Sequence, residues 1–299
     1  MTSPLSGAQY DLAFGDYRAS IASVGASLRS LTLAGRDLVV PFDADEVRPA
    51  FRGATLAPWP NRVVDGRYSF AGEDHQLALT EPERGHALHG LVAWTSFDLI
   101  ASGPDYVQLA TTIEAQSGYP FRVEVRVEYR LTEEGLFNSV TAINTGVDAA
   151  PFGAGPHPYL VAGEGRVDDW TLHLPAEQVL TVTADRLIPI EAVSVDGTEF
   201  DFRAPAAIGD TFIDHAFTGL TTASATITAP GGTGVTMTWD AACPWVQVHT
   251  ADRPIAELNR LGLAVEPMTC PPDAFNSGTD LLVIEPGESV TAGWWIAGH

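Results

Sequence analysis

The sequence predicts an all-β chain, a large antiparallel β-sandwich with few short helices, and three observations carry that reading. The segment FRVEVRVEYRL alternates Phe121, Val123, Val125, Val127, Tyr129 and Leu131 with Arg122, Glu124, Arg126, Glu128 and Arg130. Such a period of two cannot lie on one face of a helix, so it predicts a strand with one buried face and one charged, solvated face. Short apolar stretches separated by turn pairs recur along the whole chain. No amphipathic helical pattern runs longer than about two turns, and the chain carries 28 glycines and 21 prolines.

The strands follow in order. YRASIASVGASLRSLTLAG comes first, then RYSFAG and DHQLAL about Ala71-Gly72, after a turn signal at Asp65-Gly66. WTSFDLIAS and YVQLATTIEA flank Gly103-Pro104, and FNSVTAIN and WTLHLP follow the alternating strand. After Asp196-Gly197 come SATITA and GVTMTW about Gly231-Gly232, then WVQVHT, and finally LLVIEP and SVTAGWWIA about Pro286-Gly287. No low-complexity linker, charge run or fixed-period repeat divides them, so residues 1–299 read as a single domain.

Composition removes several functions. With 38 acids against 16 bases the formal charge is −22, a field that repels nucleic acid and anionic membrane. All 16 bases are arginine, so lysine Schiff bases, a pyridoxal anchor and a phosphate-loop lysine are excluded. Cys243 and Cys270 are the only cysteines, too few for a zinc ribbon or a disulfide framework. No basic region precedes an apolar run at the N-terminus, and no apolar stretch reaches the ~18 residues of a membrane span. A soluble, cytoplasmic protein is expected.

The candidate chemistry lies in Glu266 of LGLAVEPMTCPPDAF, His89 of HALHGL and His157 of GAGPHPYL. A buried carboxylate that takes a proton and an imidazole that gives one suffice for acid–base work on a neutral substrate. Between an apolar run and Pro267, Glu266 is expected to end a buried strand where a loop opens. The remaining histidines, His75, His173, His249 and His299, read as structural, while His215 beside Asp214 is open. His86 and His89 form a His-x-x-His spacing that invites a metal, but Gly85 and Gly90 point to a turn and no third or fourth ligand is evident.

Taken in order, Trp59-Pro60-Asn61-Arg62, GHALHGLVAW, GPHPYL, FIDHAF, WVQVHT and AVEPMTCPPDAF resemble the aldose 1-epimerases, in the bacterial form of this galactose mutarotase-like family. The resemblance spans the chain from about Tyr10 to the C-terminal PGESVTAGWWI. It implies the family's supersandwich fold and interconversion of the α- and β-anomers of an aldohexose, with no cofactor and no metal. Glu266 would take the proton of the anomeric hydroxyl, His157 would protonate the ring oxygen, and His89 would lie beside that oxygen. Asn61, Arg62, Asp214 and Gln247 would hold sugar hydroxyls, with Trp59 at the site in place of a family arginine. The partner would be a small sugar, the chain acting as a monomer or homodimer.

Two departures stand out: Pro156 precedes His157 where the family has Asn, and Pro271-Pro272-Asp273 carries an extra proline. At neutral pH a free histidine with a pKa of ~6.5 is mostly deprotonated, so His157 needs a carboxylate beside it to act as an acid, and Glu266 is the candidate. Two rivals remain. A glycoside hydrolase would pair Glu266 with Asp214 or Asp273. A non-catalytic module would stack sugars on Trp59, Trp94 and Trp245. A third alternative keeps the epimerase but gives it an anionic sugar, sulfonated, uronic or phosphorylated.

Overall fold

The structure, a computed structural model, describes residues 3–299. Two sheets dominate, and within them every pairing is antiparallel. A nine-stranded sheet is built around the predicted alternating strand, Val123–Thr132, which pairs with Tyr106–Ile113 on one side and Gly135–Asn144 on the other. Val123, Val125, Val127, Tyr129 and Leu131 are all buried. On the opposite face, Arg126 binds Glu124 at 2.5 Å and Arg130 binds Glu128 at 3.0 Å, both pairs at the surface. Burying each such apolar side chain contributes roughly 1.5–3 kcal/mol, whereas exposed ion pairs contribute about 0–1 kcal/mol. The buried face therefore sets the register, and the charged face only tolerates it.

The six-stranded sheet carries the site. Its order is Tyr159–Leu160, Leu263–Met268, Trp245–His249, Asp214–Leu220, Ala176–Val182 and Pro189–Ser194. Val246, Val248, Leu263, Val265, Phe217 and Val179 point into the main core shared with the nine-stranded sheet. Because side chains alternate, the residues between them point to the other face. The pairs Trp245↔Met268, Gln247↔Glu266 and His249↔Ala264 stand there side by side, with Asp214 opposite His249.

Several elements differ from the sequence reading. The first candidate strand is a hairpin of Tyr17–Ala22 and Ser27–Leu33, preceded by a strand at Gln9–Phe14. Ala176–Val182, Pro189–Ser194 and Asp214–Leu220 are strands that the pattern did not show. Glu266 does not end its strand but is the fourth of six residues. Pro267 is accommodated because it lies beyond the Tyr159–Leu160 pairing, between the Val265 N–H bond to the Pro158 carbonyl and the Thr269 N–H bond to the Ala154 carbonyl. A proline stops a ladder only where its missing donor is needed.

Candidate active site

A cavity of about 260 Å³ opens on the outer face of the six-stranded sheet. Pockets for larger ligands run about 300–1,000 Å³, so this one matches a monosaccharide in scale. Glu266, Gln247, His249 and Asp214 form its floor, three loop segments supply most of the walls, and Phe212, Asp252 and Arg253 close the rest. A larger groove of about 740 Å³ lies elsewhere, near Asp37, Gly163 and Pro230. It brings together no buried acid and base, so the smaller cavity is the candidate site.

The first loop segment contributes Ala50 and Phe51. The second is a short ladder in which Arg62 pairs with Leu88 and Val63 with Ala87. Asn61 and His89 flank it in left-handed backbone, φ 55° and 61°, tied by the His89 N–H to the Asn61 carbonyl at 2.8 Å. The third is the Pro156-His157 segment, fixed by the His157 N–H to the Ala54 carbonyl at 3.0 Å and the Gly53 N–H to the His157 carbonyl at 2.8 Å.

His157 Nε2 stands 3.4 Å from Glu266 Oε1, and both side chains are about 95% or more buried. The His89 ring meets the His157 ring edge-on, centroids 5.0 Å apart. Gln247 donates to Asp214 Oδ1 at 2.7 Å. Five polar atoms of the cavity residues have no hydrogen-bond partner: Glu266 Oε2, Gln247 Oε1, His157 Nδ1, His89 Nδ1 and Arg84 Nε. Leaving buried polar atoms unpaired costs about 1–3 kcal/mol each, so their clustering in one cavity marks a place built for a polar ligand rather than for stability.

Burial is the main influence on the three groups at the centre of the cavity. It raises the Glu266 carboxyl well above the usual range, with Asp214 adding to the shift and Arg62 opposing it. Burial lowers His157 to about 3, and the field of His249 adds to that. His89 is likewise driven well below its ordinary value, first by burial and then by His157 and Arg62. Desolvation thus favours a neutral acid beside a neutral imidazole, a pair that holds one proton between them.

Seven of the eight predicted site residues meet at this cavity: Glu266, His157, His89, Asn61, Arg62, Asp214 and Gln247. Trp59 does not. It is buried, donates from Nε1 to the Ala87 carbonyl at 3.3 Å and packs edge-on against Phe275 at 5.6 Å. It belongs to the core instead of the cavity lining. Asp273 is also turned away, accepting from the Val64 N–H at 2.8 Å and from Asn276 at 2.7 Å, while its own N–H binds the Arg62 carbonyl. His86 has both ring nitrogens engaged, with the Asp65 N–H at 3.3 Å and the Arg186 carbonyl at 2.9 Å.

Sequence reasoning missed several lining residues. His249 was legible, since it lies two residues from Gln247 and so on the same strand face. Glu81 and Arg84 were not, for they sit in a turn with no pattern. Glu81 receives Arg62 through two bonds of 2.8 and 3.0 Å and Arg84 at 2.9 Å. Burial works against its ionisation, but the Arg62 and Arg84 bonds outweigh that and hold its pKa below the ordinary value. Phe51, Tyr159, Phe212, Asp252 and Arg253 also belong to the unanticipated wall.

An acid and an imidazole thus stand in contact on the floor of a small polar cavity, an arrangement able to move protons on a compact polar substrate. The sequence profile of the aldose 1-epimerase family matches residues 9–296. The chain belongs to that family, and is an isomerase of its kind. It is 40% identical to the uncharacterised Escherichia coli K12 protein YihR over 95% of this chain and 91% of the relative. It is 25% identical to the galactose mutarotase of Bos taurus, covering 67% and 62% of the two chains. The fold matches the GalM/aldose epimerase homologue of C. elegans with a TM-score of 0.86 at 19% identity, over 98% of each chain. It matches the galactose 1-epimerase of Lactobacillus acidophilus with 0.82 at 21% identity, over 97% and 94%.

Proposed function

We propose that this protein interconverts the α- and β-anomers of an aldohexose by acid–base ring opening, with Glu266 as base and His157 as acid. The observation that carries this reading is the 3.4 Å contact between His157 Nε2 and Glu266 Oε1 on the cavity floor. The O1 proton passes to Glu266, the C1–O1 bond becomes a carbonyl, the C1–O5 bond breaks, and O5 takes a proton from His157. Rotation about C1–C2 followed by the reverse steps gives the other anomer, with no net change in the enzyme.

The proton inventory is consistent. A neutral acid with a neutral imidazole holds the same single proton as a carboxylate with an imidazolium. A sugar hydroxyl donating to the unpaired Oε2 favours the carboxylate, which transfers the proton to His157 and arms the pair. His89 lies beside the ring oxygen in this reading, and Asn61, Arg62, Asp214 and Gln247 hold the hydroxyls.

A neutral sugar is the first choice, because the three lining arginines, Arg62, Arg84 and Arg253, are matched by Glu81, Asp214 and Asp252 and leave no positive charge in excess. An anionic sugar is the second reading, favoured by one observation: Arg62 and Arg84 share the single carboxylate of Glu81. The test is polarimetry on freshly dissolved α-anomers, neutral and anionic. Accelerated mutarotation is expected. Release of new reducing ends would indicate a hydrolase, and binding without acceleration a carbohydrate-binding module.

A further inference from the structure

A working histidine is ordinarily oriented by a hydrogen bond on the ring nitrogen that does not do the chemistry. His157 has none: its Nε2 meets Glu266, and its Nδ1 makes no hydrogen bond. What it has instead is aromatic contact. The Tyr159 ring lies nearly parallel to it, centroids 5.1 Å apart at 22°, and the Phe51 ring lies at 6.3 Å and 21°. Phe51 also meets His89 edge-on at 4.7 Å.

The segment that carries Phe51 is strained and braced. Ala50 and Phe51 both adopt left-handed backbone, φ 48° and 56°. For non-glycine residues this costs about 1–3 kcal/mol each and persists only where the surroundings enforce it. Tyr159 supplies one restraint, its hydroxyl donating to the Ala50 carbonyl at 3.1 Å. Arg48 supplies another. It is buried, donates to the Val24 and Ala93 carbonyls and to Ser27, and stacks its guanidinium 4.4 Å above Trp94, whose ring packs 5.6 Å from Phe51.

We propose that Tyr159 and Phe51 are positioning residues for the proposed acid, their rings replacing the missing hydrogen bond and aiming His157 Nε2 at the anomeric centre. The ring contacts carry the positioning, and the Tyr159 hydroxyl adds a secondary tie to the strained turn that Arg48 also braces. This inference rests on the reading of His157 as the acid. Misplacing a catalytic group by about 1 Å costs up to ~10²-fold in rate, and the same order is expected here.

The experiment compares Tyr159→Leu, Phe51→Leu and the ring-conserving Tyr159→Phe, each checked for cooperative unfolding, by kinetics and by NMR of the histidine ring protons. Tyr159→Leu is expected to lower kcat by ~10–100-fold with KM nearly unchanged, Phe51→Leu less, and Tyr159→Phe to recover most of the rate. The His157 ring protons should lose ring-current shift in Tyr159→Leu and keep it in Tyr159→Phe. In a His157→Gln background, Tyr159→Leu should cost little more. A Tyr159→Leu loss confined to KM, a leucine variant as fast as wild type, or full additivity with His157→Gln would overturn the proposal. If His157→Gln itself retains activity, the reading of the acid fails instead, a separate result.

Discussion

Glu266 sets stability against chemistry. Its folded pKa is raised by burial, so its contribution to stability is complete below about pH 4.5 and is lost as pH rises through the folded value. Glu266→Gln keeps the shape, removes the titration and cannot take a proton. Activity should fall by about 10²–10⁴-fold, while the melting temperature rises by ~1–4 °C, the gain over wild type growing from pH 5 to pH 8. A variant that keeps near-wild-type anomerisation would show that Glu266 is not the base. His157 has the opposite sign. Lowered to about 3, it stabilises fully above the unfolded value of ~6.5, and that stability drains away as pH falls toward 3. His157→Gln should therefore flatten the acid loss of melting temperature below pH 6.5, besides lowering kcat strongly, whereas His89→Asn, which keeps a donor, should be milder. The same direction predicts a kcat/KM profile with no inflection near pH 6.5. An inflection there would place a solvated, ordinary histidine in control.

At the scale of elements, the site depends on one register and one tie. The register is Gln247↔Glu266, and it was half legible. Alternation in the Trp245–His249 strand shows which residues share a face, but the sequence could not say that Asp214–Leu220 pairs beside it, because Asp214, His215 and Gly219 break the apolar pattern. Pro267 read as a terminator and moved Glu266 to a strand end, since a missing donor is visible in sequence and the side it faces is not. Trp59 went astray for another reason: the resemblance put it where the family has an arginine, while its packing against Phe275 belongs to the core. The tie is Asp273, which binds the Val64 N–H and, through its own N–H, the Arg62 carbonyl. Asp273→Ala should lower stability by about 1–2 kcal/mol in chemical denaturation and raise KM several-fold as the Arg62 segment loosens, with kcat largely kept. A variant without detectable chemistry would favour the two-carboxylate hydrolase over this arrangement.

For the molecule as a whole, charge sets a condition on the substrate. The chain's −22 opposes an anion at long range, but at physiological salt that field is screened over about 8 Å. Inside the cavity the balance is local. Arg62 is buried and bound to Glu81, and Arg84 adds a second guanidinium to the same carboxylate, while Asp214 lies on the floor. A neutral aldohexose can pair with the unpartnered atoms of Glu266, Gln247, His157 and His89 and needs no counter-ion. Its C6-anionic analogue must cross the outer field and then compete with Glu81 for the arginines. The expectation is a higher kcat/KM for the neutral sugar, insensitive to ionic strength, and a lower one for the anion that improves as salt rises from low to physiological. The comparison is made by polarimetry or exchange-resolved NMR, in wild type and in Arg62→Gln. Arg62→Gln should weaken both sugars through lost hydroxyl contacts. An anion preference in wild type that disappears in Arg62→Gln would establish the second reading, with the arginine as its counter-ion. An anion preference that persists in Arg62→Gln would show that both the neutral assignment and the role given to Arg62 are wrong.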